Sequence, residues 1–294
     1  MKSKPEPVAR GEVALGGVAT SWSAVSSRIG NDRGRWLFRL ADGRSAFVKA
    51  PYHDDSAEWL RREALVYQSV AGSFMPRLLA WDGEVLVLED LSQAAWPPPW
   101  SSDGIAAVQV ALDELARVTP PPGLPPLENL AADLIDSGWP AVRDDPQLFL
   151  SLGLCSPAWL DAALPDLEAA AASAEFGGEA LVHADIRSDN LCLRDGQALF
   201  VDWNWASVGN PLFDLAAWLP SLAGEGGPPP EQLLPDSEGA AFAAVLAGFF
   251  CARAGRPAPP ELPKLRVLQR LQAEPVLMWA ARVLGLPPPE RRGG

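Results

Sequence analysis

The sequence predicts an α+β chain in two parts: a small antiparallel-sheet part with one helix over residues 1–91, and a larger, mainly helical part over residues 92–294. Three observations carry this. Asp42-Gly43 separates two apolar runs, as a hairpin turn does. Trp96-Pro-Pro-Pro-Trp100 is a rigid break where the texture of the chain changes. Beyond it, apolar residues recur mostly at helical spacing.

In the first part, Glu12-Val-Ala-Leu-Gly-Gly-Val18 leads into a small-residue loop, Ala19-Thr-Ser-Trp-Ser-Ala24. Trp36-Leu-Phe-Arg-Leu40 and Ser45-Ala-Phe-Val-Lys-Ala50 are the hairpin strands. Both turn residues between them, Asp42 and Gly43, are expected at positive φ. Asp54-Asp55-Ser56 offers an N-cap, and Leu60, Ala64, Tyr67 and Ala71 form one apolar stripe, so residues 57–71 read as a helix. Glu84-Val-Leu-Val-Leu-Glu89 is a further strand.

In the second part, Ile105, Val108, Leu112 and Leu115 mark a helix, and the five prolines of residues 119–126 a loop. Helices follow over 158–174, 239–253 and 262–284, the last interrupted at Pro275. The exception is 181–202, which reads as two short strands around Asp195-Gly196.

Composition excludes several classes. With 48% hydrophobic and 21% charged residues the chain buries a real core, and 30 Pro with 25 Gly stays below a low-complexity bias. Three widely spaced cysteines, Cys155, Cys192 and Cys251, without a CxxC pair, argue against a disulfide scaffold and fit a reducing, cytoplasmic location. Two histidines exclude a His-rich metal site. A net charge of −13 argues against a nucleic-acid partner. The longest apolar run, 239–252, is too short to cross a bilayer, and the N-terminus lacks the apolar stretch of a signal peptide, so no membrane partner is expected.

The informative stretch runs from Leu181 to Trp203. A hairpin turning at Asp195-Gly196 brings Asn190 and Asp202 to the same open end, and Asp185 lies on the loop there. An amide and a carboxylate suit Mg²⁺, which takes few protein oxygens besides phosphate and water. A further carboxylate beside them can accept a proton from an attacking hydroxyl. The spacing H-x-D-x-x-x-x-N followed by Asp twelve residues on parallels a kinase catalytic loop and its metal-binding Asp.

Lys49 points the same way. It is one of four Lys against 20 Arg, and it ends an interior hairpin strand. A compact ammonium in an Arg-rich chain suits a point charge on phosphate; the alternative is a solvated strand end. Glu63, on the following helix, is positioned to pair with it; Glu58 is the rival, explained by the helix dipole alone. The loop after Gly16-Gly17, with Gly17 and Ser21, is expected over the phosphates, the alternative being a strand bulge. Leu88-Glu89-Asp90-Leu91 joins the two parts, where a cleft would receive a nucleobase against backbone groups, making Glu89 and Leu91 candidate nucleotide contacts.

Together these residues resemble the aminoglycoside phosphotransferase / choline kinase family, whose fold is protein-kinase-like and two-lobed. The likeness rests on Phe47-Val-Lys49, Arg62-Glu63, Leu86 to Leu91, His183-Ala-Asp185 through Asn190, Phe200-Val-Asp202-Trp203, and Gly209-Asn-Pro211-Leu-Phe-Asp214. The resemblance implies a small-molecule kinase using Mg²⁺ and ATP or GTP to phosphorylate a hydroxyl acceptor such as an aminoglycoside, amino alcohol or sugar. It implies Asp185 as catalytic base, Asn190 and Asp202 as Mg²⁺ ligands, and Lys49 on the phosphates, held by Glu63. His183 is implied as a prop for the loop and Asp214 as a helix-start anchor. The chain departs from the family where Ala184 replaces the frequent Gly and Arg187-Ser-Asp189 the frequent His-Pro-Gly. Arg187 is a candidate contact for the transferring phosphoryl group, with a salt bridge to Asp189 as the alternative.

Carboxylates clustered over 128–145, and Trp139, Trp203 and Trp205, are candidate acceptor contacts; a solvated acidic face and core tryptophans are the alternatives. The competing function is an inactive kinase-like module that holds nucleotide or a partner, against which stands the filling of every catalytic position.

Overall fold

The computed structural model describes residues 3–26, 33–235 and 237–290. The N-terminal part carries α1 (Glu6–Leu15), β1 (Ala19–Ala24), β2 (Arg35–Leu40), β3 (Ser45–Lys49), α2 (Asp54–Ser69), β4 (Leu78–Trp81) and β5 (Leu86–Glu89). Its strands form one antiparallel sheet in the order β1-β2-β3-β5-β4. The remainder is mainly helical: α3 (Ser102–Leu115), α4 (Glu128–Asp136), α5 (Trp139–Asp144), α6 (Gln147–Leu150), α7 (Pro157–Ala172), α8 (Leu212–Gly224), α9 (Ser237–Ala254) and α10 (Leu265–Val283). Between α7 and α8 lie β6 (Ala180–Val182), β7 (Leu191–Arg194), β8 (Gln197–Phe200) and β9 (Ser207–Gly209).

Helix α1 was not legible as a helix. Its Val8 and Gly11 are buried, and Gly11 lets it approach the ring of Phe38, where an added Cβ would sit 2.9 Å from the ring edge. Arg10 bonds Asp82 at 2.7 Å and Glu84 at 2.5 Å, tying α1 to the β4–β5 turn. Val8 joins Phe38, Leu40, Ala46, Val48, Val85 and Val87 in a separate apolar cluster on the sheet. Leu86 and Leu88 belong instead to the large core shared with α2 and the helical part.

The hairpin between β2 and β3 differs from the expected turn. Gly43 has φ 91°, but Asp42 is not at positive φ. The carboxylate of Asp42 accepts from Arg44 N at 3.0 Å, and Gly43 N bonds Leu40 O at 3.0 Å. A three-residue loop with one left-handed Gly thus replaces the two-residue turn. It still sets the register that matters, with Arg35 directly opposite Lys49.

Helix α2 starts in a reciprocal cap: His53 Nδ1 accepts from Ser56 N at 3.0 Å, and Ser56 Oγ accepts from His53 N at 2.9 Å. Leu60, Glu63, Ala64 and Tyr67 form its buried face. Glu63 falls on that apolar face because it lies three residues after Leu60 and four before Tyr67.

In the helical part, α9 packs among α4, α5, α6, α7, α8 and α10, so its 14-residue apolar run is a core helix. Pro275 lies inside a continuous α10. Among the described residues no helix is long and apolar enough to cross a membrane.

Candidate active site

The site is built on the β7–β8 hairpin. Asp195 and Gly196 have φ 53° and 78°, the two left-handed residues that a tight hairpin turn requires. Leu191 pairs with Phe200, and Val201 N bonds Asn190 O at 2.9 Å, extending the ladder by one step. Asn190 and Asp202 therefore stand at the same open end, as the turn arithmetic requires. Asp202 itself is left-handed, at φ 70°, a conformation Asp tolerates better than most residues.

Asp185 meets them there. Asn190 Nδ2 donates to Asp185 O at 2.9 Å and to Asp185 Oδ2 at 2.7 Å. Arg187 Nε lies 3.0 Å from Asp185 Oδ1, and its Nη1 lies 3.3 Å from Asp189 Oδ1. Arg187 thus pairs with Asp189, as one sequence alternative held, and also with the base candidate. Burial pushes Asp185 up to about 6, against the pull of Arg187. Its side chain keeps 29% exposure, and it stands behind Asn190 and Arg187, which line the cleft where it does not.

From the sheet above, Lys49 reaches both Glu63 and Asp202, the latter at 2.5 Å to Oδ1. Arg35 Nη2 takes the other oxygen of Asp202 at 2.9 Å. Burial lowers the Lys49 ammonium, but Asp202 and Glu63 more than offset this and hold it above the ordinary lysine range. Burial also opposes ionisation of Asp202, yet Lys49 and Arg35 keep its carboxyl far below the usual range. Glu63, 1% exposed, goes the other way: burial pushes its carboxyl up even beside Lys49.

The catalytic loop is held from behind. His183 N and Ala184 N each donate to the Asp214 carboxylate at 2.7 Å. Burial pushes Asp214 up to about 7, against those two backbone donors. His183 is fully buried: Nε2 faces Val201 O at 3.0 Å, and Nδ1 accepts from Asp185 N at 3.2 Å. These partners place the proton on Nε2 and keep the ring neutral, and burial lowers its pKa to about 4. His183 and Asp214 stand as loop supports, one on each side of the same backbone.

Two predictions arise here. Between about pH 6.5 and 4 the unfolded chain protonates His183 while the folded chain does not, so its contribution to stability is complete above pH 6.5 and is lost as pH falls. The stability difference between wild type and His183→Asn should narrow by about 3 kcal/mol from pH 7 to pH 4 in urea titrations. A constant difference would mean that the native ring protonates freely. Ala184 has φ 64°, which costs an L-residue roughly 1–2 kcal/mol, against roughly 0.5–1 kcal/mol for the chain entropy of Gly. Ala184→Gly should therefore raise the urea midpoint, with a gain of about 0.5 kcal/mol at unchanged slope.

A cleft of about 350 Å³ opens between the sheet and the hairpin, within the usual range for small-molecule sites. Val25, Leu37, Phe47, Leu88, Leu91 and Val201 give it an apolar slot, and Lys49, Glu63, Arg187, Asn190 and Asp202 also line it. Glu89 lines it too, though its carboxylate is turned to Arg77 and to Arg194, at 3.1 Å. Those partners hold it below the usual carboxylate range although burial raises it.

The structure corrects the expectation for Gly17 and Ser21, neither of which lines the cleft. Gly16, at φ 63°, closes α1, and Gly17 N returns to Glu12 O at 3.0 Å. The glycines follow a helix end rather than open a phosphate loop, and residues 19–24, expected as that loop, form strand β1. Ser21 is exposed opposite Arg39 on β1, and Val25 and Ser26 are the residues that reach the cleft.

The acceptor candidates are also rearranged. Trp139 and Trp203 are core residues at 1% and 0% exposure, whereas Trp205 is 37% exposed beside Trp59. Asp133 and Asp144 pair with Arg253 and Arg143, and no carboxylate of 128–145 lines the cleft.

Sequence reasoning missed Arg35, Trp96 and Glu225. Arg35 was missed because the expected two-residue turn would set Trp36 opposite Lys49, and the three-residue loop shifts the register by one to put Arg35 there. Trp96 lines the mouth of the cleft, its Nε1 donating to Leu91 O at 3.3 Å. Glu225 accepts from Ser188 Oγ and from Trp100 Nε1, the latter at 2.9 Å, tying the catalytic loop to the proline-rich break. No sequence signal marks Glu225.

With this geometry in hand, comparison with known proteins is decisive at the level of family. The model of the phosphotransferase enzyme family matches residues 17–268. The chain belongs to the phosphotransferase enzyme family. No curated protein sequence matches it. Solved phosphotransferase structures share the fold at low identity. A choline/ethanolamine kinase family protein from Mesorhizobium loti is 15% identical with a TM-score of 0.58, covering 95% of this chain and 98% of its own. An aminoglycoside phosphotransferase from Alicyclobacillus acidocaldarius is 14% identical with a TM-score of 0.58, covering 96% of each chain. A thermostable mutant of aminoglycoside phosphotransferase APH(4)-Ia, in ternary complex with ADP and hygromycin B, is 14% identical with a TM-score of 0.57, covering 94% and 97%. The phosphotransferase fold is thus the protein-kinase-like one expected from the motifs.

The residues fit Mg²⁺. The Asn190 amide nitrogen is committed to Asp185, which leaves its oxygen as the ligating end, and the Asp202 carboxylate is held ionised. Among the described residues no three His, Cys, Asp or Glu side chains gather as metal ligands. An ion held by these two oxygens would complete its shell with phosphate and water, the usual Mg²⁺ arrangement.

Proposed function

We propose that this phosphotransferase moves the γ-phosphate of ATP to a hydroxyl of a small-molecule acceptor. The observation that carries the reading is the convergence of Asn190, Asp202 and Lys49 on one cleft from two separate elements, with Asp185 bonded to Asn190 at 2.7 Å beside it. The apolar slot beside Leu88 and Leu91 takes the nucleobase, and Lys49, oriented by Glu63, takes the phosphates. Asn190 and Asp202 hold Mg²⁺. The bound ion neutralises charge on the phosphate oxygens. Asp185 accepts the proton of the attacking hydroxyl, and its raised pKa of about 6 suits that role near neutrality. Arg187, between Asp185 and Asp189, is close enough to turn its guanidinium to the transferring phosphoryl group. The ADP–hygromycin B complex of the APH(4)-Ia mutant, and the streptomycin–ATP complex of APH(2")-IIa at a TM-score of 0.53, support a nucleotide and a hydroxylated acceptor on this fold.

The test is transfer of labelled γ-phosphate from Mg·ATP across aminoglycosides, amino alcohols, sugars and nucleosides. Stoichiometric ester formation with at least one of them is the expected result. A protein that binds ATP yet phosphorylates none of these classes would contradict the reading and favour the inactive module.

A further inference from the structure

We propose that Arg35 is a second phosphate-binding cation of the cleft, resting on Asp202 until a nucleotide arrives; this builds on the nucleotide reading above. Arg35 and Lys49 are direct cross-strand partners, and both line the cleft. Two like charges opposite each other on one sheet face repel, so the pair needs anions in front of it. In this structure both cations converge on one carboxylate, Lys49 on Asp202 Oδ1 at 2.5 Å and Arg35 on Asp202 Oδ2 at 2.9 Å. The three side chains keep only 14%, 20% and 18% exposure for Lys49, Arg35 and Asp202. Water therefore does little to screen them.

Lys49 also has Glu63 as a partner, whereas among the described residues the ion pair that Arg35 makes is with Asp202. A phosphate entering the cleft competes with Asp202 for this partly buried guanidinium. A nucleoside di- or triphosphate brings one to the same place. The planar fork of Arg donates two parallel bonds to two phosphate oxygens, whereas the Lys49 ammonium acts as a point charge. Arg35 thus exchanges a carboxylate for a phosphate as the cleft fills, and it gives the roof a preference for charged nucleotides over nucleosides.

The experiment measures calorimetric affinity for ADP and for adenosine in EDTA, for wild type, Arg35→Gln and Arg39→Gln. Arg39→Gln removes the same charge from the exposed, far end of β2. Working without metal leaves out binding through an ion on Asp202. Repeating the comparison in an Asp202→Asn background removes the carboxylate that Arg35→Gln lays bare. The tenfold loss expected of Arg35→Gln should persist there, and its disappearance overturns the assignment. Arg35→Gln should bind ADP at least tenfold more weakly while adenosine stays within twofold of wild type, and Arg39→Gln should match wild type for both. Arg35→Gln binding ADP within twofold of wild type overturns the assignment and leaves the kinase reading standing. Equal weakening of ADP and adenosine also overturns it, since Arg35 would then only shape the cleft. A wild-type protein that binds neither compound removes the nucleotide reading, and Arg35 with it.

Discussion

Replacing Asp185 by Ala should lower kcat on the identified acceptor by about 10²–10⁴-fold, the usual range for a lost general base, while ADP binds within about threefold of wild type. The geometry explains the split. Asp185 stands on the loop before β7, and its carboxylate meets Asn190 and Arg187 rather than Lys49. On the proposed reading the nucleotide is held by the roof of the cleft and the slot beside Leu88, which the substitution leaves in place. Asn190 keeps a partner, because its amide also donates to the backbone oxygen of Asp185 at 2.9 Å. Asp185→Asn is the companion variant: it keeps the size and loses the basicity, so it should be as inactive as Ala. Wild-type turnover by either variant would remove Asp185 from the chemistry.

Lys49→Met should be costly twice over. Glu63 is 1% exposed, and a buried carboxylate stripped of its partner destabilises a fold by roughly 3–5 kcal/mol, less whatever it recovers by protonating. We expect a loss of about 3 kcal/mol in urea denaturation, together with at least a 10²-fold fall in kcat, the order seen when one charge-stabilising donor is removed. The double variant Lys49→Met/Glu63→Leu separates the two effects. It replaces the pair by apolar side chains of similar volume, and so should regain most of the stability and none of the activity. Recovery of activity in the double variant would show that Lys49 serves only to neutralise Glu63. Full activity in Lys49→Arg would likewise detach Lys49 from the phosphates, since a guanidinium does not fit the point between Glu63 and Asp202.

Much of this site was legible because it depends on counting. The Asp195-Gly196 turn forces Asn190 and Asp202 to one end of a hairpin whatever surrounds it. Glu63 was legible because its position on a helical stripe follows from 3.6 residues per turn. Arg35 escaped the same arithmetic, since the two-residue turn expected at Asp42-Gly43 would pair Lys49 with Trp36 and the three-residue loop moves the register by one. Helix α1 was hidden because Glu12-Val-Ala-Leu15 carries a short apolar signal that helix and strand share. What decided it was burial of Val8 and Gly11 against Phe38, a contact 27 residues away from Gly11. The phosphate-loop reading of Gly17 and Ser21 failed with it. The tryptophans divided for a related reason: Trp139 and Trp203 fill the core, Trp96 faces the cleft, and nothing local to them differs enough to tell.

By itself the sequence determined the family, the two-part α+β architecture and the meeting of Asp185, Asn190 and Asp202 at one end of a hairpin, because each is encoded in short-range spacing. Only the tertiary structure decided which charges face each other: Arg35 on Asp202, Arg187 on Asp185, Glu225 beneath Ser188. Such pairings join side chains as far as 167 residues apart. Their strength is set by burial, which exists only once the sheet and the helical part have closed over the same cleft.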